Sequence, residues 1–306
     1  MTGSPPRTAR EAIRAAATQF KKKRLYFGHG TDNALDEAAW LVGHALGVVP
    51  EALERHLDRP LDTTARERID ALVAARIATR KPLAYLLKEA WFAGHKFYID
   101  ERAIVPRSLL GEFILDGFVP WLVHPPRRAL DLCTGSGCIA IAIAHRFPHC
   151  QVDAVDLSEA ALAVARINID AHALGARVRA MQSDLFAALA GARYDLIVTN
   201  PPYVGARDMQ RLPAEYRHEP ALALAAGREG LDVVARILAT ATDYLDANGA
   251  LFAEVGNACR PLRAQFPKVP LTWLETQTGD DSVFMLNAAQ LAAHREEFAR
   301  FLTRQA

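Results

Sequence analysis

The chain has 306 residues, 51% of them hydrophobic, which is long enough to bury a sizeable core and usually divides into two domains. Thirty-six Lys and Arg residues against thirty-five Asp and Glu leave a formal charge of +1, so no global field draws the protein toward nucleic acid or an anionic membrane. The four cysteines form no C-x-x-C pair, and neither an export leader nor an apolar run of membrane-spanning length is present; this argues against a metal site, a disulfide framework and a membrane anchor, and fits a reducing cytoplasm.

Residues 1–90 carry apolar side chains at helical spacing, first at Ile13, Ala16, Ala17 and Phe20, then at Leu35, Ala38, Ala39, Val42 and Leu46. Thr31 or Asp32 can cap the second helix, Gly47 and Pro50 close it, and 63–80 reads as another amphipathic helix, so a small bundle of four or five helices is expected. Residues 91–105 are two aromatic and β-branched segments around Asp100 and Glu101, which predicts a β-hairpin linking the bundle to the rest. From Arg128 onward, short apolar runs alternate with helical stretches. This predicts strands near 128–132, 151–156, 177–182, 194–199, 249–255, 271–276 and 282–287, with helices near 137–147, 158–173, 230–245 and 258–266. Residues 106–306 thus read as an α/β domain with a doubly wound, mostly parallel sheet.

The first of these strands runs into DLCTGSGC (131–138) and then an apolar helix. Gly135 and Gly137 lack a Cβ, so backbone N–H groups can approach a ligand closely, and Asp156 at the end of the next strand stands where a carboxylate accepts ribose hydroxyls. A nucleoside-containing cofactor is expected. Gly135, Gly137 and Ala140 also fit the dinucleotide pattern, which makes a dehydrogenase the first rival. Against it, the negative charge of Asp131 would oppose a pyrophosphate but could hold a cationic amino group. Asp184, in SDLF (183–186), can accept an adenine amino group while Leu185 or Phe186 packs on the ring.

The fourth strand ends in Asn200, Pro201, Pro202 and Tyr203, at the sheet edge where open α/β folds bind ligands. Pro201 biases Asn200 away from helix, and neither proline offers an N–H, so the turn presents fixed carbonyls. The Asn200 side-chain oxygen and the Pro201 carbonyl could together accept both hydrogens of a planar –NH₂ group, with Tyr203 walling the pocket.

DLCTGSGC (131–138), AVDLS (154–158), SDLF (183–186) and NPPY (200–203) together resemble the HemK-like family of protein glutamine N-methyltransferases. The first pattern is common among methyltransferases, and the last is much narrower. The resemblance implies a Rossmann-like, seven-stranded S-adenosylmethionine methyltransferase domain preceded by a helical substrate-recognition domain and a hairpin. GHGTDNALDEA (28–38), AYLLKEAWFAGHKFYIDERAIVPRS (84–108) and MQRLPAEYRHEP (209–220) are similar to the branch that modifies a glutamine of the third large-subunit ribosomal protein. Release-factor enzymes, the sister branch, typically read PRPDTE where this chain runs from Pro106 to Glu112.

Carried over position by position, the resemblance implies that Asn200, Pro201, Pro202 and Tyr203 bind the target glutamine. Asp131, Cys133, Thr134, Gly135, Ser136, Gly137, Asp156, Leu157, Asp184, Leu185 and the Asn200 region would surround S-adenosylmethionine and its product S-adenosylhomocysteine, with no metal. Glu215, Arg217, His218 and Glu219 in the following loop are candidates for recognising the protein substrate, either free or in an assembly intermediate. Three rivals stay open: a release-factor methyltransferase, an enzyme acting on an exocyclic amino group of a nucleic acid, and a non-catalytic ribosome assembly factor. A nucleic-acid enzyme needs a basic cleft or accessory domain, and the near-neutral charge argues against one.

Overall fold

A computed structural model of the chain describes residues 6–277, 279 and 281–305. It divides into two compact units: Met1–Ala90 with Pro213–His218, and Trp91–Leu212 with Glu219–Ala306.

The first unit is helical. Its helices are α1 (Ala9–Lys22), α2 (Ala34–Ala45), α3 (Thr63–Thr79) and the short α4 (Leu83–Leu87), with a 3₁₀ turn over Pro50–His56. The expected apolar spacing becomes one core in which Ile13, Phe20, Leu41, Val42, Ile69 and Leu83 are buried. Burying each such side chain stabilises the unit by about 1.5–3 kcal/mol. The cap of α2 is Asn33 rather than Thr31 or Asp32; its side chain accepts from the N–H groups of Leu35 and Asp36. Fully buried Arg76 anchors the unit by donating to Glu37 Oε1 at 2.8 Å and to the Tyr26 carbonyl at 2.9 Å.

The second unit opens with a hairpin, β1 (Ala90–Phe92) and β2 (His95–Phe97), which is shorter than the expected 91–105. Its turn is Ala93-Gly94, both with positive φ, as two-residue hairpins require. Asp100 belongs to a separate clamp, accepting from Arg102 and the Tyr98 hydroxyl. Next come α5 (Leu110–Leu115), β3 (Arg128–Leu132), α6 (Cys138–Arg146), β4 (Gln151–Asp156), α7 (Glu159–Ala171), β5 (Val178–Gln182) and β6 (Tyr194–Thr199). After these follow α8 (Ala206–Met209), α9 (Asp232–Thr240), β7 (Leu245–Glu254), α10 (Cys259–Gln265), β8 (Thr272–Leu274), β9 (Val283–Asn287) and α11 (Ala288–Gln305). The sequence reading missed α5, α8 and α11.

The seven strands of the main sheet lie in the order β5-β4-β3-β6-β7-β9-β8; β9 runs antiparallel to both neighbours and the rest are parallel. Successive strands step outward from β3 to β4 and β5, and then the chain returns to place β6 on the other side of β3. That reversal opens a crevice at the carboxyl ends of β3 and β6, where such folds take ligands. Cores lie on both faces of the sheet, around Ile141, Ile143 and Phe252 on one and around Ile197, Leu238 and Phe298 on the other. No helix among the described residues is long and apolar enough to cross a membrane.

Candidate active site

Two adjoining cavities occupy this crevice. The larger, about 130 Å³, is walled by Gly135, by Asp156 with Leu157 and Ser158, by Asp184 with Leu185, and by Asn200 and Pro202. The smaller, about 50 Å³, is walled by Thr134, Ser136, Ser108, Arg107, Pro201 and Tyr203. Cys133 and Asn200 belong to both walls, so the tetrapeptide stands between them.

Backbone and side-chain hydrogen bonds fix the cofactor loop. Thr199 Oγ1 donates to the Leu132 carbonyl at 2.9 Å, tying the end of β6 to the end of β3, and Thr134 N donates to the Val155 carbonyl at 3.0 Å. Gly135 and Gly137 both have positive φ. A Cβ on Gly137 would stand 3.2 Å from that of Ala165, so this glycine lets α6 pack closely on α7. Buried Asn168 donates to the Ser136 carbonyl at 2.9 Å and exchanges hydrogen bonds with the Tyr98 backbone. Nothing in the residue type announced that brace.

Asp156, at the end of β4, lines the larger cavity. Its Oδ2 accepts from Gly135 N at 2.9 Å and its Oδ1 from Ser158 N at 2.8 Å, which leaves a free lone pair on each oxygen. Burial raises its pKa above the usual carboxylate value, with the N–H groups of Ser158, Gly135 and Leu157 opposing the shift.

Asp131 differs from the expected arrangement, since it lines neither cavity. It is fully buried beneath the loop, where its Oδ2 accepts from Thr134 Oγ1 at 2.5 Å and from Ala140 N at 3.0 Å. Its Oδ1 has no hydrogen-bond partner, and burial pushes its pKa up to about 7. Sealed beneath the loop, the carboxyl braces it through Thr134 and Ala140 and meets neither cavity.

Asp184 and Leu185 face the larger cavity, whereas Phe186 turns into the core and stacks on Tyr244 with ring centroids 4.6 Å apart. Of the two, only Leu185 lines the larger cavity. Asp184 is paired with Arg236 at 2.8 Å, and both are about half exposed. Desolvation raises the pKa of the Cys133 thiol, which disfavours the thiolate that a nucleophile needs.

The loop after the tetrapeptide also departs from expectation. Glu215 is fully buried in the helical unit, 2.7 Å from Arg80 Nη2, and accepts from Tyr26 N at 3.0 Å. His218 Nε2 lies 3.1 Å from the Thr79 carbonyl. Glu219 clamps Arg107 through both of its oxygens and takes the N–H of Val105. These three hold structure; Arg217 stays exposed.

Sequence reasoning missed two further supports. Buried Glu254, at the end of β7, accepts from Ser108 Oγ at 2.6 Å and Leu109 N at 2.9 Å behind the smaller cavity. Gly230 and Gly256 pack against Tyr203 so closely that a Cβ on either would overlap it.

Comparison with known proteins agrees with this geometry. Residues 9–87 match the PrmC N-terminal domain and residues 118–215 the methyltransferase small domain. The chain is 46% identical to the ribosomal protein uL3 glutamine methyltransferase of Burkholderia pseudomallei over 96% of its own length and 99% of that protein's. The chain belongs to the HemK-like glutamine methyltransferase family.

Its similarity to the uL3 glutamine methyltransferase of Neisseria meningitidis serogroup B is also 46%, over 93% of this chain and 94% of the other. The hMettl16 catalytic domain, solved in complex with a 3′UTR hairpin, shares the fold at 15% identity and a TM-score of 0.50, over 93% of this chain and 92% of that one. As in its family, the methyl donor is S-adenosylmethionine, which supplies an electrophilic sulfonium methyl when bound. That excludes the dehydrogenase suggested by the glycine pattern.

Proposed function

We propose that this enzyme transfers a methyl group to the side-chain amide nitrogen of a glutamine in ribosomal protein uL3, giving N(5)-methylglutamine. The observation that carries the reading is the place of Asn200, on the wall shared by a cavity bearing the ribose-type carboxylate Asp156 and a second cavity walled by Pro201 and Tyr203. The near full-length likeness to uL3 enzymes supports the choice of acceptor.

An amide nitrogen is a poor nucleophile because its lone pair is delocalised into the carbonyl. Two fixed acceptors, Asn200 Oδ1 and the Pro201 carbonyl, would take its hydrogens, favour charge build-up on nitrogen in the transition state and hold it in line for attack. Tyr203 would wall the flat group. Asp156 would take the ribose hydroxyls, Asp184 the adenine amino group, and Leu185 the adenine face; Thr134 to Gly137 would enclose the remainder. Once the new bond forms, the nitrogen becomes acidic and its proton can leave to water, so no dedicated base is required.

The helical unit would recognise the protein substrate, either free or in an assembly intermediate. Cys133, Cys138, Cys150 and Cys259 are all free thiols, in keeping with action in a reducing cytoplasm.

A transfer assay with labelled S-adenosylmethionine tests the reading, with unmethylated uL3, assembled ribosomes, release factor and naked RNA offered separately. Label on a uL3 glutamine, located by mass spectrometry, is the expected result. Label confined to release factor would move the enzyme to the sister branch, and label in RNA alone would overturn the amide chemistry.

A further inference from the structure

The sequence gives no reason to expect a metal, because His95, His145 and His172 lie far apart along the chain. The fold brings them together. His95 opens β2, His145 sits in the last turn of α6, and His172 caps the end of α7. One ring nitrogen from each lies within 4.8 Å of the others, and all three side chains are half-buried. We propose that these three imidazoles form a binding site for a divalent transition ion of the zinc class.

The tautomer of His172 favours ligation. His172 Nε2 lies 2.9 Å from the Lys96 carbonyl, an acceptor that requires the proton on Nε2 and leaves the Nδ1 lone pair directed at His145. A backbone carbonyl behind a ligating imidazole is the usual support at zinc sites. His172 Nδ1 accepts from His145 Nε2 at 3.0 Å, so an ion would replace this hydrogen bond as His145 shifts its proton to Nδ1. Two nitrogens each about 2.0–2.1 Å from a tetrahedral ion stand roughly 3.4 Å apart, so this pair is close to ligand spacing. His95 completes the set by stacking on His145 with ring centroids 4.2 Å apart.

The surroundings suit a small closed site. The Phe97 ring packs 5.0 Å from that of His172. The Arg177 guanidinium is engaged with the carbonyls of Ala144, Phe147 and Cys150 at the end of α6. Neutral nitrogen donors select zinc, cobalt, nickel or copper over magnesium or calcium. None of the three histidines lines either cavity of the active site. The ion would therefore act as a staple joining the hairpin to the ends of α6 and α7, with a fourth position left to water or an outside ligand.

The test uses the full chain stripped with chelator and titrated with zinc against a competing chromophoric chelator, with the melting temperature followed in parallel. One equivalent of zinc bound at micromolar or lower Kd, with a raised melting temperature, is expected. The H95F, H145A and H172A variants should each weaken binding by more than about tenfold. X-ray absorption of the zinc-loaded wild type keeps the proposal falsifiable if a variant does not fold, and should show a nitrogen and oxygen shell without sulfur. No stoichiometric binding, binding unchanged by the substitutions, or a sulfur-rich shell from the free cysteines would each overturn it.

Discussion

The Tyr203 ring rests directly on Gly256, where an added Cβ would stand 2.4 Å from Cε2 and 2.6 Å from Cζ. Gly256 also has φ +42, in the left-handed region that costs other residues about 1 kcal/mol or more. Gly256→Ala should therefore push the ring out of the acceptor pocket while the fold survives. The expected result is a fall in kcat on the order of a hundredfold, the scale of an ångström's misplacement, with cofactor affinity little changed. An unchanged kcat would mean that Tyr203 does not position the substrate amide.

Arg76 holds two carboxylates in the interior of the helical unit. It donates to Glu37 at 2.8 Å and lies 3.8 Å from Glu215, and all three side chains are essentially inaccessible. Burial raises the pKa of Glu37, and Arg76 opposes that shift. Arg76→Ala leaves both acids without this partner and should destabilise the unit by about 3–5 kcal/mol. Hydrogen exchange should show lost protection in α2 and α3; preserved protection would contradict the anchoring role.

Asp131 makes stability depend on pH. Its folded-state pKa of about 7 lies above the ordinary 3.8, so the folded state keeps a proton that the unfolded chain releases. The stability this group contributes is fully present below about pH 4 and is lost as pH rises through about 7. Asp131→Asn cannot ionise, so its melting temperature relative to wild type should climb between about pH 5 and pH 8. A constant offset across that range would show that Asp131 is not titrating there.

The half-exposed Asp184–Arg236 pair contributes less than about 1 kcal/mol to folding. Asp184→Ala should leave the melting temperature nearly unchanged yet weaken cofactor binding on the order of tenfold, the loss of one charge-assisted hydrogen bond. Arg236→Ala frees the carboxylate and should not weaken binding. Calorimetry separates these outcomes, and equal affinity in Asp184→Ala and wild type would remove Asp184 from the adenine site.

The main sheet was legible because buried parallel strands leave short apolar runs bounded by turn residues. β3, β4 and β6 begin and end where those runs do, at 128–132, 151–156 and 194–199. The helix α11 was missed although Leu291, Phe298 and Phe301 are buried along one side of it, because charged residues dilute its pattern. The hairpin turn was misplaced because Asp100 and Glu101 look like a turn, whereas backbone geometry chose Ala93-Gly94. At the site, the glycine loop, Asp156 and the Asn200 tetrapeptide were readable from residue types whose chemistry is local. Asn168, Glu254 and Gly256 were not, because each acts through a partner distant in sequence that only the fold supplies.

The most direct measurement is single-turnover methyl transfer to uL3 by Asn200→Ala, with S-adenosylmethionine binding measured on the same preparation. If Asn200 orients the amide nitrogen, the rate should fall by on the order of a hundredfold or more, while the cofactor Kd changes far less. A wild-type rate, or a rate loss fully accounted for by weaker cofactor binding, would contradict the placement of the chemistry at Asn200.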